Sequence, residues 1–553
     1  MPSYQQYCRP PLVDPAYVAL PDGAVHTEGI LRDLTEKILA LTNPDTITPL
    51  DAVLASKLGE YADLPAIPAV RELAAALPGS LPEFVPALRA AVMTAVSDKD
   101  KDALLQCLQA MKIFAARLPE IGEYALMPVA ADAMRCAQEL YRRSGQSFLL
   151  DIMELVRSQV PDVAGLFHSF PFLKAFTPEP VPDDAKDDTS KYFRRMKMLG
   201  TGKMIADALA LTAHFAMYSG SARDAGASAA GLSSLDRFHG MPNGMFSAAP
   251  YLAGREPSAA TDLPSICAML EALHDLLAAG GEFAIAERME RIVENAFFNL
   301  LAKDGIRNTQ PVNREANEKS CEAQPPTRAE IGMLLRAITA VRRSVWMIKG
   351  ETELAMLLPY DSVCLTRMNG VPVRVAMSTE ADGNIRFKIE TKQPVIFALS
   401  LRIPSYADSA RISVAGDKPK VVECGTMYTI KRPFKSGDQI VLDLSCKPYT
   451  KTGHRSSVSV YYRSMLMALP LPEADDAWQY ALSDQFRPSI TLTGGVPSVR
   501  VDACAAPSWT VKNGRIPSPP QGLHMGAVYE LTLLPYRNTA GRVAIFPQAY
   551  HES

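Results

Sequence analysis

From about Asp51 to about Lys349 the apolar residues recur at helical spacing, as in Leu104, Cys107, Leu108, Met111, Ala115 and Leu118, which share one helix face. Two stretches of this half repeat a longer pattern. "LYRRSGQSFLLDIMELV" from Leu140 and "LLAAGGEFAIAERMERIV" from Leu276 each predict a helix end, a glycine turn and a second helix opened by an aromatic residue. Such αα-hairpins bury both apolar faces only by packing on neighbours, and a ring of them makes an α/α toroid, or barrel. "TPEPVPDDAKDDTS", Thr177 to Ser190, is polar and proline-bearing and predicts a surface connection between hairpins.

After about Gly350 the period falls to two. Ile385, Phe387 and Ile389 alternate behind an Asp382–Gly383 turn; Val395, Phe397, Leu399, Leu401 and Ile403 alternate next, then Ile440, Leu442 and Leu444. Short strands separated by turn residues predict an antiparallel sandwich. The expected architecture is multidomain: an N-terminal α/α toroid over residues 1–350, then a C-terminal antiparallel β-sandwich over residues 351–553. The stretch from Ala505 to Gly526, rich in proline and glycine, predicts an irregular excursion between late strands.

Composition narrows the function classes. The chain has 553 residues, 48% hydrophobic and 21% charged, as in ordinary globular proteins of more than one domain. With 57 basic and 60 acidic residues the net charge is −3, too balanced to predict a nucleic-acid or membrane partner. The start "MPSYQQYCRPPLVDP" lacks a basic, then apolar, leader, and no segment approaches the roughly 20 apolar residues of a membrane span. Nine scattered cysteines favour reduced thiols, so a cytoplasmic location is expected. There is no Gly-x-Gly-x-x-Gly, Walker loop, His-Glu-x-x-His or Gly-x-Ser-x-Gly, which sets nucleotide and serine-hydrolase chemistry aside.

The loop "RFHGMPNG" is the best sugar-facing candidate read from residues alone. Gly240 and Gly244 permit a tight turn that could aim His239 and Asn243 at hydroxyl groups; the alternative is a histidine satisfied within the fold. Glu256 and Asp262 flank a second loop rich in glycine and proline, where ligand-facing residues concentrate. Glu287 and Glu290, with Arg288 and Arg291, predict a structural ion-pair network at a helix end. Cys267 and Trp346 predict packing residues.

The run His239 to Ala302, with Leu252, Gly254, Thr261, Leu263, Ala286, Arg288, Glu290, Arg291, Asn295 and Ala296 in register, resembles the β-L-arabinofuranosidase family of glycoside hydrolases, family 127 and its relatives. "LRIPSYADSARISVAG", "YTIKRPFKSGDQIVLDL" and "VSVYYRSMLMAL" resemble that family's sandwich strands, so the likeness spans roughly Lys203 to Leu469. The resemblance implies a barrel holding the active site, a carbohydrate ligand and, through the sandwich, a homodimer. It further implies a cysteine nucleophile, a glutamate acid/base and a zinc ion held by one glutamate and three cysteines, since a metal-bound thiolate is a competent nucleophile.

This chain departs from that pattern where the chemistry sits. Asp262 stands for the liganding glutamate and Pro264 for the cysteine beside it; Ala249 and Pro250 replace an acidic pair. In "SCEAQPPTR" only Cys321 matches a family cysteine, and Ala323 and Gln324 occupy the nucleophile and ligand positions. Cys321 reads as a small residue near a helix start, or as a surviving thiol whose pKa Glu322 and Arg328 would perturb. The expectation is therefore a protein without metal or cofactor, which uses either Asp262 and Glu322 as replacement catalytic carboxylates or no catalysis at all. The sugar contacts expected are His239, Asn243, Glu256 and Gln324.

Overall fold

The computed structural model describes residues 7–42, 48–58, 81–182, 187–303, 305–314, 322–380, 383–471, 479–512, 515–539 and 541–551. Six helices follow one another in space: α1 (Pro49–Leu58), α2 (Leu81–Asp98), α3 (Ala130–Ser144), α4 (Gly202–Ser219), α5 (Leu263–Gly280) and α6 (Arg328–Arg343). Each packs on the next, and α6 returns to α1. Behind them lie the helices Lys101–Arg117 on α2, Phe148–Gln159 on α3, Ala222–Phe238 on α4, Phe283–Ile292 on α5 and Gly29–Ala40 on α6. Gly332 on α6 makes one of these contacts close, since a Cβ there would lie 2.6 Å from a carboxylate oxygen of Asp51 on α1.

Both predicted hairpins form. Gly145 and Gly281 end α3 and α5 in the left-handed conformation (φ 70° and 69°), and Gly220 (φ 63°) ends α4 the same way. α5 is long and apolar enough by composition to cross a membrane, but two-thirds of it is buried between α4 and α6, which accounts for its apolar character. The connection predicted over Thr177 to Ser190 is shorter than expected, because Asp187 caps a helix starting at Asp188 by accepting from Ser190 N–H at 2.9 Å.

The strand-rich part begins at Trp346, a few residues before the predicted boundary, and recruits two strands from the start of the chain. Val18–Ala19 edges a five-stranded sheet continuing through Trp346–Lys349, Glu353–Met356, Val395–Ile403 and Thr426–Phe434. Val25–Thr27 edges a seven-stranded sheet by pairing with Ser362–Met368. A third sheet of ten strands, between Tyr449 and Tyr550, has its own buried core around Val460, Val499, Leu533 and Phe546. The predicted alternation is correct for Ile385–Ile389 and Ile440–Leu444. It understates Val395–Ile403, whose other face, carrying Ser400 and Arg402, is also buried. Trp346 is buried as expected, but on a strand, with its Nε1–H donating to Ser362 Oγ at 3.0 Å.

Arg402 couples the two parts. Fully buried, it pairs with Glu290 at the end of Phe283–Ile292 and lies over the Phe283 ring at 5.7 Å. Glu287 accepts from Ser405 N–H at 2.6 Å and Ser405 Oγ at 2.7 Å, and Arg288 pairs with Asp236. Three of the four residues expected in an ion-pair network are paired, but with partners on other elements rather than with one another, and Arg291 makes no ion pair among the described residues. Asn295 and Asn313 add buried links to the third sheet: Asn295 spans Ser464 O and Leu466 N, and Asn313 accepts from Ala544 N and Ile545 N.

Removing one member of a buried ion pair strands the other charge, so Arg402→Met alone should destabilise the protein by about 3–5 kcal/mol. The double variant Arg402→Met with Glu290→Leu should recover most of that loss in chemical denaturation. Equal losses in both variants would mean that packing, not charge, is what Arg402 contributes.

Candidate functional site

The predicted site residues fall into two separate groups. His239 is fully buried below its loop; its Nε2–H donates to Phe172 O at 2.7 Å and its Nδ1 accepts from Gly254 N–H at 3.0 Å. Both ring nitrogens are thus engaged within the fold, and burial holds the imidazole below its usual pKa. Asn243 is buried too, its Oδ1 accepting from Met245 N–H at 3.1 Å while its Nδ2 has no partner. Glu256 accepts from Ser518 N–H at 3.2 Å and Ser518 Oγ at 2.6 Å, which anchors the irregular excursion after Ala505 on the helical part. A pocket of about 210 Å³ lies beside the predicted loop, lined by its Gly240, Met241, Pro242 and Gly244 and by Arg255 and Pro257, but not by His239, Asn243 or Glu256.

Asp262 lies elsewhere, at the junction of the strand Ala260–Asp262 and α5. It caps α5, accepting from Ser265 N–H at 3.0 Å, and burial pushes its carboxyl up to about 6 against that hydrogen bonding. Glu322 and Gln324 are exposed, and the Gln324 backbone pairs with Ile306 in both directions, at 2.8 and 2.9 Å. α6 then starts on a capping box of Thr327 and Glu330. Cys321 lies outside the described residues. At the positions where the resemblance implies metal ligands, Asp262 is committed to the helix cap and Pro264 and Ala323 offer no donor. Among the described residues, no group of three or more His, Cys, Asp or Glu side chains converges as a metal set. Cys267, one turn into α5, is buried, and its thiol is held far above the usual pKa by burial.

A cavity of about 700 Å³ opens inside the helix ring near the C-terminal halves of α2 to α6. Glu271, His274 and Asp275 on α5 line it, so it lies about 13 Å or more along that helix from Asp262. Arg89, Arg135, Glu271, Asp275 and Arg336 of its lining belong to a chain of ion pairs. Arg336 reaches Asp51 at 3.3 Å and Glu271 at 3.5 Å; Arg89 reaches Glu271 at 2.9 Å and Asp132 at 2.7 Å; Arg135 pairs with both Asp132 and Asp275. Burial raises the Asp132 and Asp275 carboxyls, but the neighbouring arginines outweigh it, holding Asp132 at about 2 and Asp275 far below the usual range. His214 contacts Gln138 Oε1 at 2.8 Å and Asp275 at 3.3 Å, and burial lowers its pKa; burial also takes His274 down to about 4.

No motif marked these cavity residues in the sequence. The available signal was charge inside apolar helices: Glu271, His274 and Asp275 share one face of "CAMLEALHDLL" amid buried leucines.

Residues 354–446 match the family model described as beta-L-arabinofuranosidase, GH127 middle domain. No curated protein sequence matches the chain. Among solved structures, a glycoside hydrolase aligns with TM-score 0.72 at 14% identity, covering 97% of this chain and 98% of its own. A GH127 beta-L-arabinofuranosidase from Geobacillus stearothermophilus T6 aligns with TM-score 0.61 at 14% identity, over 95% of this chain and 91% of its own. A GH127 beta-arabinofuranosidase aligns with TM-score 0.56 at 12% identity, over 97% and 99%. The chain therefore has the fold of these proteins from end to end, a helix-rich part followed by a strand-rich one, and resembles GH127 as a divergent member.

A carboxyl with a folded pKa of about 6 binds its proton more tightly than in the unfolded chain. Its contribution to stability therefore falls as pH rises from about 4 to about 6 and stays reduced above that. Asp262→Asn keeps a capping oxygen and removes the titration. The variant should exceed the native protein in stability by about 3 kcal/mol at neutral pH, with the gap closing below about pH 4. A gap independent of pH in denaturation curves would contradict the raised pKa.

Proposed function

We propose that this chain, which shares the fold and middle domain of GH127 β-L-arabinofuranosidases, is a carbohydrate-active protein that binds a sugar inside its helix ring and has lost the thiolate–zinc displacement. The support is the cavity of about 700 Å³, within the range of small-ligand sites and lined by hydrogen-bonding side chains such as Gln138, His214, Glu271 and His274. Sugar hydroxyls both donate and accept, and this wall offers arginine donors, carboxylate acceptors and neutral imidazoles together. Proton transfer is a poor fit there, because the arginines keep Asp132 and Asp275 ionised. The cyclic order of the six helices and the two sheets of the middle part favour the finer description, an α/α toroid followed by a β-sandwich.

A second reading is a hydrolase of altered mechanism, and one observation favours it: Asp262 at about 6 holds a proton that a general acid could deliver near neutral pH. Glu322 would be its partner carboxylate.

The test is a panel of free sugars and aryl glycosides, β-L-arabinofuranosides included. Binding without turnover is expected, reduced at least tenfold by Ala278→Trp, which fills the ring cavity without removing a charged partner. Turnover abolished by Asp262→Ala or Glu322→Ala would establish the second reading instead. Sugar binding that Ala278→Trp leaves unchanged would put the ligand outside the ring.

A further inference from the structure

Cations outnumber carboxylates in the lining of the pocket beside the "HGMPNG" loop. It lies where the helical part meets the third sheet. Arg255, Arg288, Arg291 and Lys451 line it against one carboxylate, Asp236. Asp236 is taken up by Arg288, and Arg291, Arg255 and Lys451 make no ion pair among the described residues. The Nε of Arg255 and the Nη1 of Arg288 are buried without a hydrogen-bond partner. Buried guanidinium donors left open are costly unless something accepts from them.

Lys451 is held rather than free to swing away. It lies over the stacked rings of Tyr449 and Tyr461, at 5.8 and 5.5 Å, and those rings are themselves 5.3 Å apart. Burial, then the Arg291 charge, lowers its pKa to about 8, against the opposing charges of Glu287 and Asp236. Neither carboxylate is ion-paired with Lys451; Glu287 accepts from Ser405, and Glu256 from Ser518. Ser457, Ser459 and Ser518 add hydroxyls to the rim.

We propose that this pocket is a binding site for a tetrahedral oxyanion, a phosphate or sulfate group either free or esterified to a sugar. Three cations from different elements, none ion-paired among the described residues, suit a multiply charged group with oxygens pointing several ways, more than the single charge of a carboxylate. The volume, about 210 Å³, is smaller than a typical drug-sized site and suits a compact anionic head. The site stands apart from the ring cavity and does not depend on sugar being bound there.

Calorimetric titration of the full chain with inorganic phosphate, sulfate and a hexose 6-phosphate tests the assignment. Binding is expected for at least one of them, weakened tenfold or more by Arg291→Met and by Lys451→Met and unaffected by Ala278→Trp. Thermal melts of each variant check that it folds, and Lys451→Arg should retain binding. A hexose 6-phosphate that binds more tightly than phosphate would identify an esterified ligand; equal affinity would identify the free ion. No binding of any of the three at millimolar concentration, or binding undiminished in both folded methionine variants, would overturn the proposal.

Discussion

One continuous path of ion pairs and hydrogen bonds holds the helix ring together: Asp51, Arg336, Glu271, Arg89, Asp132, Arg135, Asp275 and His214 place at least one member on each of the six inner helices. A ring of helices cannot fill its own centre with side chains as a simple bundle does, so the interior must be stabilised in another way. Here the cavity lining mixes apolar residues with charged ones, and every carboxylate in the path meets an arginine. The path fixes the spacing of the helices while leaving open space between them. The same pairing sets the chemistry of the wall, because a carboxylate held ionised accepts hydrogen bonds and does not deliver protons.

The strand-rich part is attached by separate, more local contacts. Arg402 reaches out of its sheet to the end of Phe283–Ile292, while Asn295 and Asn313 hydrogen-bond to the backbone of the third sheet. An asparagine amide offers both donor and acceptor, so each can satisfy backbone groups that would otherwise be buried open. The loop pocket forms at this same seam. Its cations come from the helical side at Arg255, Arg288 and Arg291 and from the sheet side at Lys451, so neither part would make it alone.

Several of the residues expected to face a ligand serve the fold instead. Asp262 caps α5, the Gln324 backbone pairs with Ile306, and His239 joins Phe172 to Gly254. The ring cavity opens about 13 Å or more along α5 from Asp262.

Helical spacing, glycine stops and period-two alternation were enough to divide the chain into a helix-rich and a strand-rich part, because those patterns follow from local geometry and one-sided burial. They also named the "HGMPNG" loop, whose glycines line a pocket, although the side chains chosen there, His239 and Asn243, turn into the interior. The early strands Val18–Ala19 and Val25–Thr27 were not legible, since their strand partners among the described residues lie more than 300 residues away. Nor were Arg89, Asp132, Glu271 and Arg336 legible as a set. Each looks like one charge on an apolar helix, and only the closing of the ring brings them within hydrogen-bonding reach of one another.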